Sequence, residues 1–296
     1  MALSVEARQE RLGRRGLAIW RQARRAPLFP SLALLLVVLA AIFGPLVSPN
    51  DPNAGDLSKA LQPPAWQSGG SAALPLGTDA VGRDILSRLI WGARISVLVA
   101  VVATAVGSSV GVPLGLIAGY YGGKVDSLIM RLTDVMLAMP IILVAITIVA
   151  IFRPSLMNVI LVISLGIWAG YARIVRGEVL SLKERDFVAL ARVAGASPGH
   201  IMARHILPNV FNTIIILATL NVGTVILFEA ALSYLGLGVP ARTPTWGAMV
   251  NDGHQYLSVA WWITTIPGLA IVFTVLGANL MGDWLRDALD PKRRQV

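Results

Sequence analysis

The side chains able to do chemistry are few, and their spacing does not assemble a catalytic set. Histidine occurs only at 200, 205 and 254, and no pair forms the H-E-x-x-H turn that would hold zinc on one helix face. No Ser/His/Asp set follows from the spacing. A phosphate loop of the form G-x4-G-K-[ST] is missing too: of the four lysines only Lys124 follows a glycine, and Val125 comes next. There is no cysteine, so disulfides and thiolate metal sites are excluded. Inside the long apolar runs the conspicuous carboxylate is Glu229. An acid within a membrane is a functional candidate by default, here a proton carrier or a lining group of a pathway or gate. The other reading is a helix-interface acid paired by Ser233 or Thr224. The chain is therefore expected to be no enzyme and to bind no cofactor or metal itself.

The elements that would position these residues are membrane helices. Of 296 residues, 55% are hydrophobic and 14% charged, and the mean hydropathy is +0.70. Such a composition defines a polytopic membrane protein. Apolar runs at 28–47, 96–118, 128–151, 156–172, 210–235 and 261–282 are each near the roughly 20 residues that cross the hydrocarbon. Strand alternation is absent, and lipid tolerates only helices or closed barrels. The expected fold is all-α with six transmembrane helices.

Charge sets the orientation. Residues 1–27 hold seven arginines against Glu6 and Glu10. An apolar span follows at once, so this segment reads as a cytoplasmic flank holding the topology, not a nucleic-acid arm. No small-residue cleavage site precedes Pro49, so the first span is uncleaved. With the N-terminus inside, 19 of the 25 Lys and Arg fall on the cytoplasmic side and 6 outside. Both termini and the loop after the fourth span are then cytoplasmic.

Several local patterns carry separate expectations. Residues 48–80 have loop composition. Asp79, Arg83 and Asp84 suit a local ion-pair and cap cluster leading into the second span, with substrate contact as the other reading. Gly107, Gly111, Gly115 and Gly119, with Ala103, recur every four residues. They form a side-chain-free stripe for close helix packing, either within the chain or against a helix of a second membrane subunit, and Pro113 is placed to bend that helix. Arg131 and Asp134 are spaced to pair with each other. Trp246, in the Gly/Pro-rich outer loop 236–258, is expected to face a partner or substrate, or to anchor at the headgroups.

The most informative stretch is 183–209, KERDFVALARVAGASPGHIMARHILPN. Phe187, Leu190, Ala191 and Ala194 fall at i, i+3, i+4 and i+7, one helix face. Gly195 interrupts, then Ser197-Pro198 restarts a helix as N-cap and first helical residue. Pro208 is expected to stop that second helix at about Leu207. The product is two short helices hinged at a glycine. They would either lie on lipid headgroups or dock an apolar face into a partner's groove.

This stretch resembles the E-A-A-x3-G-x9-I-x-L-P cytoplasmic loop of permease subunits of ATP-binding-cassette (ABC) importers. Ala191, Gly195, Leu207 and Pro208 match in place, while Ala189, Leu190 and His205 replace the Glu, the first Ala and the Ile. Leu76–Asp84, with Ser87-Arg88 and Gly92–Ser96, is similar to the L-G-T-D-x-x-G-R-D…S-R…G-A-R-x-S segment of dipeptide/oligopeptide permeases. Ala118–Gly123, Tyr171-Ala-Arg173, Val175-Arg-Gly177, Glu229–Gly238, Pro244–Gly247 and Gly282–Pro291 are similar to the same group. The likeness covers about residues 30–291 and points to the second, C-type, permease of the dipeptide/oligopeptide/nickel group, with type I importer architecture.

The resemblance implies a basic cytoplasmic segment at 1–27, a first span at 28–47, and an extracytoplasmic loop at 48–95. A five-helix permease core at 96–283 would contain the coupling loop 183–209, and a tail would follow at 284–296. It implies ATPase contacts at Phe187, Ala189, Leu190, Ala191, Gly195, Ala196, Ser197, His205, Leu207 and Pro208, with Phe187 and Leu190 as the apolar anchor. Implied partners are a second homologous permease, one or two ABC ATPases that bind ATP and Mg, an extracytoplasmic substrate-binding protein, and membrane lipid. Peptide is the implied cargo; nickel chelates or glutathione would fit the same motifs. The contrasting reading is a stand-alone proton-coupled carrier built on Glu229.

Overall fold

A computed structural model describes residues 27–240 and 242–289. The arginine-rich segment 1–26 and the tail 290–296 lie outside the described residues. Helix α1 is Leu28–Val47 and α2 is Ile85–Tyr121. A broken pair follows, α3 Gly123–Ala138 and α4 Ile141–Phe152, and then α5, Leu156–Leu182. Next come α6 Asp186–Val193, α7 Pro198–Ile201, a π-helical turn Met202–Ile206, and α8 Leu207–Tyr234. Short α9, Trp246–Gly253, precedes α10, Trp262–Leu289. Among the described residues five helices are long and apolar enough to cross a membrane, and the broken pair, bent by 84°, makes a sixth span if taken as one.

The span expected at 128–151 is thus not one straight helix. Pro140 cannot donate an amide proton and clashes with the turn before it. It also pushes Met139 into extended backbone, at φ −81° and ψ 125°. Other boundaries shift outward. Helix α2 begins at Ile85 rather than near Ser96, because Asp84 caps it by accepting from the amides of Leu86 and Ser87 at 3.2 Å each. The outer loop therefore closes at residue 84. Helix α5 runs to Leu182, ten residues past the expected end at 172, and α10 runs to Leu289.

The glycine stripe is an intramolecular seam. A Cβ on Gly107 would sit 2.8 Å from Ile167, one on Gly115 2.6 Å from the Ala172 carbonyl, and one on Gly119 2.7 Å from Val179. A Cβ on Gly111 would strike the Trp168 carbonyl. The stripe lets α2 and α5 backbones meet, as small residues do in lipid, where packing and not hydrophobicity drives association. The second-permease reading of this seam is not what the fold uses. Pro113 lies within the continuous helix α2.

Two apolar clusters result. The larger gathers Val99, Ile163, Val225, Trp246 and Ile263. The smaller gathers Leu116, Val175, Val179, Val188, Ile201, Ile206 and Val210 where α6 and α7 meet α2, α5 and α8. Outward-facing Leu32, Leu36, Ile42, Val101 and Phe273 are exposed and coat the bundle for lipid.

Candidate functional site

The segment 183–209 is held at one end of the bundle by Val188, Ile201 and Ile206, and in α6 the fully buried side chain is one that the sequence pattern passes over. Val188 is 0% exposed and packs into the smaller cluster. The expected face divides accordingly. Ala191 and Ala196 pack inward as partly buried neighbours of that cluster. Phe187, Ala189 and Ala194 are exposed, with Leu190 at 68% and Val193 at 87%. Phe187, Leu190 and Val193 therefore form an apolar ridge at i, i+3 and i+6 that the described residues leave uncovered. Val193 falls outside the i, i+3, i+4, i+7 pattern, whose last position is Ala194.

Gly195 closes α6 in the left-handed region, at φ +78°. The Gly195 amide donates to Arg192 at 3.0 Å and the Ala196 amide to Ala191 at 3.0 Å, the paired bonds of a Schellman end. A Cβ there would meet nothing within 4 Å, so glycine is required by conformation and not by space. Ser197 then caps α7 by accepting from the His200 amide at 3.4 Å, as its type and position predict.

Pro208 does not stop the helix. The Met202–Ile206 turn widens so that the Leu207 amide donates to the Met202 carbonyl, five residues back. That widened turn eases the clash a proline imposes on the carbonyl four residues earlier. Asn209 Nδ2 adds a 2.6 Å bond to the His205 carbonyl. The second helix of the loop is consequently the start of a span, continuous from Pro198 to Tyr234. His205 is partly buried with its ring edge-on to His200, centroids 5.8 Å apart, while Leu207 packs inward and Pro208 is exposed.

Polar contacts fix the same end. Arg176 grips Asp126 with two bonds of 2.5 and 2.6 Å. Lys183 Nζ donates to the Gly119 carbonyl at 3.1 Å, and Arg192 lies over the Tyr120 ring at 5.5 Å. Asp134 pairs with Arg173 across helices, not with Arg131 along its own. The i,i+3 spacing allowed the local pair, but α5 brings a second cation to the same carboxylate.

The remaining candidates lie elsewhere. Glu229 is fully buried between α2 and α8, accepting from Ser96 at 2.9 Å and Ser233 at 2.7 Å. Ser233, four residues along the same helix, is the expected partner, whereas Ser96 is 133 residues away in sequence and carries no local signal. Thr224 instead lines a cavity. Trp246 is 2% exposed, and its indole donates to the Leu89 carbonyl at 2.9 Å. It is a core residue, which corrects the expectation of an exposed anchor: α9 folds back onto α2. Near it, Arg83 donates to Asp79 at 2.6 Å, and buried Arg88 also grips Asp79. Asp252 of α9 completes this cluster, accepting from Arg83 at 3.1 Å and Arg88 at 3.2 Å. Among the described residues no group of three His, Asp or Glu could hold a metal.

A bent six-span bundle with a helix pair bracketed to one end is the fold of an importer permease. It is similar to an inward-facing structure of the MetNI methionine ABC transporter, with TM-score 0.57 and 19% identity, covering 68% of this chain and 96% of that one. The sequence matches "Binding-protein-dependent transport system inner membrane component" over residues 111–295 and "N-terminal TM domain of oligopeptide transport permease C" over 19–64. It is 45% identical over 265 residues to the di/tripeptide permease DppC of Pseudomonas aeruginosa, covering 90% of this chain and 88% of the relative. The dipeptide permease DppC of Escherichia coli K12 is 48% identical, covering 88% and 87%. Oligopeptide permease OppC of Bacillus subtilis is 37% identical, covering 97% and 94%.

The chain belongs to the binding-protein-dependent transport system inner membrane component family, in its dipeptide/oligopeptide C-type group. It is a multi-pass inner-membrane permease subunit that works in a complex with ATPase and permease partners. That membership replaces the stand-alone carrier.

Proposed function

We propose that the chain is the C-type half of a heterodimeric permease importing di- or oligopeptides, driven through residues 183–209 by a separate ATPase. The names of the dipeptide and oligopeptide relatives support the cargo. The observation that carries the coupling role is the uncovered ridge of Phe187, Leu190 and Val193 on a helix whose opposite side is locked by Val188. An apolar helix face without an internal partner fits a groove on another protein. With the arginine-rich end inside, that ridge lies in the cytoplasm, where the partner ATPase would hold ATP and Mg.

The unbroken helix from Pro198 to Tyr234 gives the mechanism its shape. When the ATPases close on ATP, a displacement of α6 and α7 passes into α8 as a rigid body instead of dissipating in a linker. The ridge does work only through contacts that differ between the ATP-closed and open states. The path enclosed by the two permeases would then open outward to receive peptide from an extracytoplasmic binding protein.

The test is mild-detergent purification of the tagged chain from its native membrane. Recovery of a second permease and an ATPase, with the ATPase lost in Phe187→Asp/Leu190→Asp, supports the assignment. Retention of the ATPase by that variant, with the complex intact, sinks the ridge.

A further inference from the structure

A groove of about 740 Å³ opens at the end of the bundle away from the 183–209 segment, between the end of α1, the start of α2 and the residues leading into α9. Pro45, Trp91 and Ile95 form its apolar lining, and Asp51, Arg94 and Arg242 bring charge to it. One wall is fixed in place by the chain itself. The Asn50 amide donates to Ser87 Oγ at 3.0 Å and the Asn50 side chain to Asp84 at 3.1 Å, which pins the turn after α1 to α2. Gly44 brings the two helices close beneath it, since an added Cβ would stand 3.0 Å from Ile90.

The charges of this groove are not spent within the chain. Arg94 and Arg242 are exposed, and among the described residues neither pairs with a carboxylate. The Arg94 guanidinium lies over the Trp91 ring, 5.8 Å from its centroid, which holds it at the groove. Exposed Asp51 accepts from the Asn53 amide at 2.8 Å and likewise has no cation beside it among the described residues. Two open guanidiniums and one open carboxylate complement a phosphodiester that carries an ammonium.

Depth identifies the molecule that would bring those groups. Helix α1 ends at Val47, and Leu46 and Val47 are exposed beside the groove. On α2 the exposed face runs on from Arg94 through Leu98 and Val101, at i+4 and i+7. The groove thus lies where apolar outer surface gives way to the polar loop that follows α1, the headgroup level at which Trp and Arg are favoured. A free anion would use the arginines alone, whereas a lipid uses both the charges and the apolar face below them.

We propose that this groove binds a phosphatidylethanolamine, its phosphodiester on Arg94 and Arg242, its ammonium on Asp51 and an acyl chain along Leu98 and Val101. The bound headgroup bridges the end of α1 to the residues before α9. The site is separate from the coupling ridge and does not depend on the cargo.

The experiment takes the complete purified complex, delipidated in detergent, and titrates it with dioleoyl-phosphatidylethanolamine while native mass spectrometry counts bound lipid. Arg94→Gln/Arg242→Gln should raise the lipid concentration that half-fills the tightest site about tenfold or more, the factor lost with a charge-assisted hydrogen bond. Arg242→Gln alone breaks no ion pair among the described residues and should raise it about threefold; it carries the test if the double variant does not assemble. Asp51→Asn should weaken phosphatidylethanolamine by about the same factor and leave dioleoyl-phosphatidylglycerol unchanged. Wild-type titrations in the arginine variants overturn the site. Equal binding of the two lipids by the wild-type complex overturns the ammonium contact, and displacement of the lipid by an equal concentration of soluble glycerophosphoethanolamine overturns the lipid as occupant.

Discussion

The indole of Trp246 donates to the Leu89 carbonyl at 2.9 Å and lies 2.7 Å from where a Cβ on Gly92 would stand. Two residues more than 150 positions apart thus depend on a missing side chain one turn along the same helix. The contact fixes α9 against the start of α2 and brings Asp252 to Arg83 and Arg88.

That relationship makes Gly92→Val a sensitive change. The added carbons meet a buried ring with no room to yield, and overpacking of this kind costs about 1–3 kcal/mol. The melting temperature of the detergent-solubilised complex should fall, and Trp246→Phe should fall less, by about 1 kcal/mol for one hydrogen bond. Equal melts for wild type and Gly92→Val would show that α9 is free to move away.

The two faces of α6 should separate stability from coupling. Val188→Ala removes two buried methyl groups' worth of packing, about 2 kcal/mol, and should lower the melting temperature. Leu190→Ala, on the exposed ridge, should leave the melt unchanged and reduce ATPase copurification. Opposite results would mean that α6 is rotated, with Leu190 facing inward and Val188 outward.

Gly195 tests conformation against space. Since its Cβ would touch nothing, the obstacle to substitution is φ +78°. A branched or bulky residue there costs about 1–2 kcal/mol, while Asn tolerates the region. Peptide uptake per ATP hydrolysed should drop in Gly195→Trp and be largely retained in Gly195→Asn. Unchanged uptake in Gly195→Trp would falsify the requirement for this turn.

Glu229 separates a packing acid from a working one. Glu229→Gln keeps acceptor and donor atoms within reach of Ser96 and Ser233, and uptake should stay near wild type. Glu229→Leu strands both hydroxyls in the core, and about 1–3 kcal/mol of stability should be lost for each unsatisfied group. An intact but transport-dead Glu229→Gln complex would assign the carboxylate a direct part in transport.

Sequence alone determined the class of the chain and the position of its spans, because twenty apolar residues in a row have one physical use. It also placed the Ser197 cap, the Gly195 turn and the Asp79–Arg83 pair, all of which rest on neighbours within about four residues. Tertiary structure decided what each surface faces. Val188, with only Ala191 of the patterned face, anchors α6, Trp246 is buried, the glycine stripe meets α5, and Asp134 meets Arg173. Pro140 broke a span and Pro208 did not. The difference is that a widened turn, read only from the backbone, eases the clash at Pro208, whereas none does so at Pro140. Periodicity fixes which residues share a side of a helix; only the packing of other helices fixes whether that side meets protein, lipid or a partner.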